Sequence, residues 1–127
     1  MSKNIGNTIY DRSINYYETD QMGIVHHSNY IRYFEEARLD MMEQVGLSYA
    51  AMEEHGLIIP VLSVACEYIK PVLFGEKVQI HTRLVKFDGI KMQFVYEIYC
   101  EGELRTKGES RHCFLDKEMK PVRMKRQ

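Results

Sequence analysis

The stretch YYETDQMGIVHHSNYIRYFEEARLDMMEQVG, residues 16–46, is the part of the sequence that decides the fold. It opens with a tyrosine-rich segment that ends at Asp20, and it continues through a turn around Gly23. Two histidines, His26 and His27, follow the turn, and a long amphipathic run follows the histidines. A carboxylate and two imidazoles are thus gathered around the start of a predicted helix.

The run after the histidines has the periodicity of one α-helix face, since its apolar side chains recur at spacings of three and four. These side chains belong to Tyr30, Phe34, Ala37, Met41 and Val45. Ser28 or Asn29 is expected to cap the helix by accepting a backbone N–H bond, and Gly46 is expected to end it in the left-handed conformation. Further apolar residues broaden the face, so we expect other elements to wrap around the helix.

The segments before and after this helix are predicted to be mostly β-strands. A first strand is expected over 8–16, with Tyr16 on the same face as Tyr10. A short second helix is expected over about 48–55. The β-rich run PVLSVACEYIKP, residues 60–71, follows it and predicts the next strand.

Two alternating runs give the clearest strand signals. Apolar and polar residues alternate over 76–87, and apolar residues occupy every second position over 90–100. Asp88 and Gly89 lie between these runs and predict a two-residue hairpin. A final strand is expected over 104–115, after a glycine-containing turn.

Short turns between successive strands indicate an antiparallel sheet, and one long apolar helix must bury itself against that sheet. The predicted fold class is therefore α+β, with a curved antiparallel sheet of about five strands wrapped around one long central helix. The whole chain, 1–127, is expected to form a single domain. Apolar residues on the outer face of the predicted strands, such as Val85, Val95 and Tyr99, suggest that subunits associate.

The composition is that of an ordinary globular protein and argues against several classes of function. Charged residues make up 28% of the chain and the formal net charge is −1, without the concentrated basic surface of a nucleic-acid binder. No apolar run approaches the ~20 residues needed to cross a bilayer, and the first residues lack the apolar block of a signal peptide. We therefore expect a cytoplasmic protein with no stable membrane insertion and no nucleic-acid partner.

Several common reaction chemistries have no motif in this sequence. There is no G-x-S-x-G nucleophile elbow and no G-x-x-x-x-G-K-[ST] phosphate loop. Three widely spaced cysteines, Cys66, Cys100 and Cys113, predict neither a disulfide framework nor a zinc site. His26 and His27 are neighbours, so on a helix start they would point about 100° apart and would not converge on a metal. No metal site and no cofactor are predicted, and the expected reactive group is a carboxylate.

Asp20 has two interpretations at this point. Aspartate is a favoured turn residue, so Asp20 can have a purely structural role. Alternatively, Asp20 faces a helix N-terminus, whose unpaired N–H groups and partial positive charge can stabilise a developing oxyanion. The carboxylate would then act as base or nucleophile on the same carbonyl. His27 is likewise a helix cap or a site residue, and Tyr16 a core residue or a site residue.

These residues resemble the signature of the hotdog-fold acyl-CoA thioesterases of the 4-hydroxybenzoyl-CoA thioesterase family, especially the short bacterial branch that includes the Tol-Pal-associated thioesterase. The matching pattern runs from Tyr16 through Asp20, Gly23 and His27 to the run FEEAR at 34–38. It continues in CEYIKPVLFGEKVQI and in HCFLDKEMKPVRM, so the resemblance covers most of the chain.

The resemblance implies an acyl-CoA thioester hydrolase that releases a free acid and CoA. Asp20 matches the family's catalytic acid, in the role of general base or nucleophile. The backbone N–H at His27 matches the group that polarises the thioester carbonyl, and in this branch the imidazole is also counted in the site. Tyr16 matches an assisting tyrosine. Lys86 and Lys91 flank the predicted hairpin and are the candidates for binding the CoA phosphates. The alternative is that both are ordinary solvated charges of the hairpin.

The resemblance also implies a site at a subunit interface, in a homodimer or homotetramer, with CoA as part of the substrate and no cofactor. Met22 departs from the smaller residues of several branches and leaves the acyl group open, whether short, long or aromatic. Two alternatives are kept: a non-catalytic acyl-CoA binding or assembly protein, and a hotdog acyl-thioester hydratase. The intact set of Tyr16, Asp20 and His27 argues against the first, and the hydratases' different placement of histidine and acid argues against the second.

Overall fold

Five strands and one long helix account for most of the chain in a computed structural model, which describes residues 6–46 and 49–123. The elements are β1 (Gly6–Ser13), α1 (Ser28–Gln44), α2 (Tyr49–Glu54), β2 (Val61–Tyr68), β3 (Lys77–Phe87), β4 (Lys91–Cys100) and β5 (Glu103–Cys113). A short 3-10 turn, Tyr16–Glu18, lies between β1 and α1. The predicted start of α2 at residue 48 lies outside the described residues. No helix in the described part of the chain is long and apolar enough to cross a membrane.

The five strands form one antiparallel sheet in the order β1-β3-β4-β5-β2. Consecutive hairpins join β3, β4 and β5, while β1 and β2 form the two edges. Ile80 of β3 pairs with Ile98 of β4, and Cys66 of β2 pairs with Gly108 of β5. The predicted α+β class, with a curved antiparallel sheet around one long helix, is confirmed.

The predicted apolar stripe of α1 is the face that packs against the sheet. Tyr30, Phe34, Ala37 and Met41 are buried, and so is every second residue of β4 from position 92 to position 100. Both sets turn their side chains toward each other, which makes the helix–sheet interface the core of the protein.

Phe34 brings α1 into close contact with the sheet. Its ring stacks on that of Tyr96, with 4.5 Å between centroids and 9° between planes. Gly108 of β5 lies under the same ring, and a Cβ at this position would fall inside the van der Waals envelope of Phe34. The helix can approach the sheet this closely because position 108 carries no side chain.

Both hairpin turns are closed by specific backbone geometry, and the first differs from the prediction. It has three residues, Asp88 to Ile90, rather than two, because Asp88 Oδ1 accepts hydrogen bonds from the backbone N–H groups of Ile90 and Lys91. The two-residue hairpin is the next one, at Glu101 and Gly102. Both of these residues have positive φ angles, 51° and 80°, as a type I′ turn requires.

The first strand is shorter than predicted, since β1 ends at Ser13 and Tyr16 lies outside it. The chain turns at Asn15, whose backbone N–H donates to Glu18 Oε1 at 2.9 Å, while the Glu18 N–H donates to the Asn15 carbonyl at 3.0 Å. These two bonds close a 3-10 turn where a strand would need its ladder partners.

The loop that contains Asp20 lies at one end of the sheet. Phe74, in the segment that leads into β3, donates its backbone N–H to the carbonyl of Gly23 at 2.9 Å. The turn that begins at Asp88 lies at the other end of β3 and β4. The ten residues of β4 separate the two ends, which corresponds to about 30 Å at the rise of a strand.

Candidate active site

Asp20 begins a five-residue turn that ends at Ile24. Its Oδ1 accepts hydrogen bonds from the backbone N–H groups of Met22 at 2.8 Å and Ile24 at 3.2 Å. Gly23, at φ 78°, adopts the left-handed conformation that this turn needs. Oδ1 of Asp20 therefore has the purely structural role of a turn aspartate. Oδ2 accepts no hydrogen bond from any residue in the described ranges.

A second turn repeats the geometry of the Asp20 turn near the end of the chain. Asp116 Oδ1 accepts from the backbone N–H groups of Glu118 and Lys120, both at 2.9 Å. The carbonyl of Asp116 accepts from the N–H of Met119, in the same way that the carbonyl of Asp20 accepts from the glycine three residues later. Because the turn alone is a general structural device, any chemical role of Asp20 must come from its surroundings.

The start of α1 directs backbone N–H groups toward the same region. Ser28 donates its N–H to Nδ1 of His26 at 3.2 Å. Asn29 donates to the carbonyl of His26 at 2.9 Å, and Tyr30 donates to the carbonyl of His27 at 3.3 Å. The N–H of His27 has no acceptor among the described residues. It is therefore the open donor at the positive end of the helix dipole.

The cap of α1 differs from the prediction, because an imidazole takes the place of the Ser28 or Asn29 side chain. His26 accepts the N–H of Ser28, whereas the side-chain amide of Asn29 donates to the carbonyl of Glu18 at 2.9 Å. The rings of His26 and His27 stack with 4.3 Å between centroids and 29° between planes. They do not point 100° apart because both residues precede the first helical residue.

A cleft of about 330 Å³ brings Asp20 and His27 together. Its other walls include Tyr30 of α1, and Tyr68 and Pro71 from the end of β2 and the segment after it. The cleft thus combines one carboxylate, one open helix N–H group and an aromatic wall. Within the described residues, no group of three or more His, Cys, Asp or Glu side chains is arranged to hold a metal ion.

Tyr68 forms the wall of the cleft opposite the helix start. Its position in the sequence did not predict a role in the site. Its ring packs edge-on against that of Tyr30, with 5.0 Å between centroids, and its hydroxyl lies 3.5 Å from the carbonyl of His27. Burial and, after it, the hydrogen bond with Cys66 raise the pKa of Tyr68 to about 12. Tyr68 therefore remains a neutral O–H donor beside the helix start.

The other three predicted site residues lie outside this cleft. Tyr16 is 69% exposed, and its ring contacts that of Phe74 edge-on at 5.5 Å between centroids, beside the turn. Lys86 and Lys91 lie at the opposite end of the sheet. A single chain therefore brings together two of the five predicted site residues.

Glu18 joins the turn to the helix, which its sequence context did not reveal. Its carbonyl accepts the backbone N–H of His26 and the side-chain amide of Asn29, both at 2.9 Å. Its buried carboxylate accepts from Arg12 at 2.5 Å, and Arg12 also donates to Glu36 of α1. Burial alone would raise the pKa of Glu18, but the hydrogen bonds from Arg12 and the backbone outweigh it and lower the pKa.

Comparisons with known proteins agree with this architecture. The model of the Thioesterase-like superfamily matches residues 14–126. The "Putative acyl-CoA thioesterase YneP" of Bacillus subtilis (strain 168) is 38% identical over 115 residues, which cover 89% of this chain and 83% of that protein.

Two solved structures show the same fold at substantial sequence identity. A DHNA-CoA thioesterase from Staphylococcus aureus has a TM-score of 0.87 and 38% identity, and the match covers 92% of this chain and 80% of that one. A protein of Aquifex aeolicus has a TM-score of 0.88 and 36% identity, with 93% of both chains covered. These matches confirm the predicted hotdog fold and the predicted enzyme class, a thioester hydrolase. The chain belongs to the thioesterase-like superfamily.

Proposed function

We propose that this enzyme hydrolyses acyl-CoA thioesters in the cleft between Asp20 and the start of α1. The observation that carries the proposal is the open backbone N–H of His27 in a cleft that also contains the carboxylate of Asp20. An open N–H at a helix start is a donor for an oxyanion, and a carboxylate beside it can activate water or attack the carbonyl.

The proposed reaction begins with the thioester carbonyl oxygen on the His27 N–H. In the general-base route, Asp20 takes a proton from water, the hydroxide forms a bond to the carbonyl carbon, and negative charge develops on the carbonyl oxygen. The carbon–sulfur bond then breaks, and the CoA thiolate takes a proton to leave as the thiol. In the nucleophilic route, Asp20 attacks the carbonyl carbon, and the carbon–sulfur bond breaks to release the CoA thiolate, which takes a proton. Water then hydrolyses the mixed anhydride to the free acid and regenerates Asp20. Both routes give the free acid and CoA without a cofactor.

The names of two relatives support an acyl-CoA substrate without agreeing on one acyl group. The Bacillus subtilis protein is named for acyl-CoA in general, and the Staphylococcus aureus protein for DHNA-CoA. A panel of short, long and aromatic acyl-CoA thioesters, with DHNA-CoA among them, identifies the acyl group by thiol release.

We also propose that the protein is a homodimer that forms through β2. This strand is an edge of the sheet, and an edge strand offers unpaired backbone groups to another chain. Val61, Leu62 and Val64 on it are exposed, and Tyr68 at its end forms a wall of the cleft. A partner on this edge would close the cleft. Light scattering at micromolar concentration tests this proposal, and a stable, active monomer would contradict it.

Such a dimer gives Lys86 and Lys91 a route to the site. If two copies of β2 pair antiparallel, the Tyr68 end of one copy lies beside the Val61 end of the other. Val61 pairs with His112, next to Cys113, the partner of Lys91. The lysines of one subunit would then lie at the same end of the joined sheet as the cleft of the other, where they would bind the CoA phosphates.

A charge reversal tests the proposed phosphate contacts. Lys86→Glu and Lys91→Glu should raise KM more than they lower kcat, because remote phosphates bind the ground state and the transition state alike. Lys107→Glu makes the same change in the middle of β5 and should leave KM unaltered. Equal KM values in all three variants would contradict the assignment of the lysines.

The decisive test of the chemistry is Asp20→Asn with Asp116→Asn as its matched control. The two aspartates hold the same turn, and asparagine can accept the same backbone bonds. Asp20→Asn should therefore lower kcat by about 10²-fold or more with little change in stability, while Asp116→Asn should retain activity. Similar turnover in both variants would contradict a catalytic role for Asp20.

His27→Ala separates the backbone donor from the imidazole. The substitution keeps the N–H, so kcat should fall by less than the about 10²–10³-fold that one oxyanion donor contributes. A loss of that full size would assign the role of donor to the imidazole instead.

A further inference from the structure

We propose that His26 is a positioning residue, whose imidazole accepts the backbone N–H of Ser28 so that His27 presents the one open backbone N–H at the helix start to the substrate. The proposal rests on the proposed role of the His27 N–H. It adds a function for a side chain that neither accepts a proton from the substrate nor bonds to it.

The tautomer of His26 follows from its contacts. Ser28 N–H can only donate, so His26 Nδ1, at 3.2 Å from it, must accept. The hydroxyl of Ser28 lies 2.9 Å from the same nitrogen. In the neutral ring the hydrogen is therefore on Nε2, and Nδ1 has its lone pair directed at the first residue of α1.

Two further contacts hold the ring of His26 in place. Its backbone N–H donates to the carbonyl of Glu18 at 2.9 Å, which anchors the residue to the segment before the Asp20 turn. Its ring stacks on that of His27 at 4.3 Å between centroids. The cap therefore has a fixed orientation on a surface-exposed residue that borders the cleft.

The consequence is that only one donor stays open at the start of α1. The N–H groups of Asn29 and Tyr30 are satisfied by backbone carbonyls, and that of Ser28 by the imidazole. Without the imidazole, Ser28 would offer a second donor one residue further along the chain. A substrate carbonyl that shifted toward Ser28 would meet the Asp20 carboxylate in a less favourable geometry, and kcat would fall more than binding.

Three substitutions at position 26 separate the cap from the ring stack. His26→Asn keeps an acceptor for the Ser28 N–H, as asparagine commonly does at helix starts, but loses the imidazole ring. His26→Phe keeps an aromatic ring over His27 but has no acceptor. His26→Ala lacks both.

Steady-state kinetics with one acyl-CoA substrate then give a clear expectation. His26→Ala and His26→Phe should lower kcat by up to about 10²-fold, the loss that a displacement of the reacting groups by about 1 Å can cause, with a smaller change in KM. His26→Asn should restore kcat to within about threefold of the unsubstituted enzyme. If His26→Phe retains kcat and His26→Asn loses it, the stack matters and the proposed cap role is wrong.

A readout without turnover tests the cap itself. ¹⁵N NMR of the imidazole in the intact protein at pH 8 should show a hydrogen on Nε2 and none on Nδ1. A hydrogen on Nδ1 would overturn the proposal. The NMR result does not depend on catalysis, so it also stands if Asp20→Asn retains turnover and the proposed function fails. Normal kcat in all three His26 variants beside an inactive Asp20→Asn would overturn the positioning role alone.

Discussion

The side-chain amide of Asn29 donates a hydrogen bond to the backbone carbonyl of Glu18 over 2.9 Å. This bond joins the first turn of α1 to the segment immediately before Asp20. The two halves of the cleft therefore have a direct connection that does not pass through the sheet, beside the bond from the His26 N–H to the same carbonyl.

Substitution of Asn29 by Ala should weaken this connection. Loss of one intramolecular hydrogen bond lowers the free energy of unfolding by about 1 kcal/mol, and the freed helix start should lower kcat more than it raises KM. Urea denaturation and steady-state kinetics measure the two effects. Gln44→Ala is a suitable control, because the amide of Gln44 makes a similar bond to Asp40 at the other end of α1. Equal kinetics in both variants would contradict the link.

Glu18→Gln should destabilise the protein far more than the loss of an exposed ion pair. The side chains of Arg12 and Glu18 are only 16% and 6% exposed. Because Arg12 keeps its bonds to Glu36, the expected cost is that of one hydrogen bond to a charged group, about 1.5–3 kcal/mol. Lys70→Met removes a pair with Glu103 whose side chains are 58% and 45% exposed, and it should cost less than about 1 kcal/mol. Similar free energies of unfolding for the two variants would refute this ranking.

His112 should make the stability of the fold depend on pH. The imidazole is fully buried, and its Nε2 lies 2.8 Å from the hydroxyl of Ser110, which in turn bonds to the hydroxyl of Tyr96 at 2.6 Å. Burial, followed by the positive charge of Arg38, lowers the pKa of His112 to about 4. The folded protein therefore holds a neutral imidazole at pH values where the unfolded chain is already protonated.

The sign of this effect is a loss of stability toward acid. Between pH 6.5 and pH 4 the unfolded chain binds a proton that the folded protein does not. The contribution of the neutral His112 to the free energy of unfolding is intact above pH 6.5, and it falls by up to about 3 kcal/mol as the pH reaches 4. The pKa values of the Glu18 and Glu76 carboxyl groups are lowered from the ordinary carboxyl value, so these groups affect stability at lower pH. The free energy of unfolding should therefore decrease from pH 7 to pH 5, and His112→Gln should make this decrease smaller. The same pH dependence in His112→Gln would contradict the prediction.

Gly108→Ala should strain the contact between α1 and the sheet. The added Cβ would overlap the ring of Phe34, and overpacking of a core costs about 1–3 kcal/mol. Phe34→Leu removes that overlap, so the double variant should be more stable than the sum of the two single changes. Thermal denaturation of the four proteins gives the coupling energy, and strict additivity would show that the overlap is relieved elsewhere.

Periodic segments were predictable from the sequence because burial alone determines them. The stripe from Tyr30 to Met41 and the alternation in β4 record which side faces the core, and the helix and the sheet appear where these patterns predict them. Val45, the last residue of the predicted stripe, is 42% exposed, because it is already the C-cap of α1.

The details of the site were less predictable because they depend on residues that meet only after folding. Asp20 and His27 line one cleft, as their positions in the sequence suggest. Tyr16, expected on a strand, is in a 3-10 turn that the Asn15–Glu18 exchange creates. The cap by His26 leaves no periodic signal, since an imidazole is an uncommon acceptor at a helix start.

The position of β2 has a consequence for how the enzyme loses activity. Its partner, β5, is the last strand of the chain, whereas β3, β4 and β5 pair with their sequence neighbours. Pairing of β2 therefore closes a longer loop than the two hairpins do and has a larger entropy cost than they have, although the pairing of β1 with β3 closes a longer loop still. Tyr68 belongs to β2 and Pro71 to the segment after it, and both are walls of the cleft. A molecule in which β2 has detached therefore keeps the paired strands β3, β4 and β5 but has no cleft. During gradual denaturation, turnover should therefore disappear before the sheet signal, and activity should report on the docking of one edge strand.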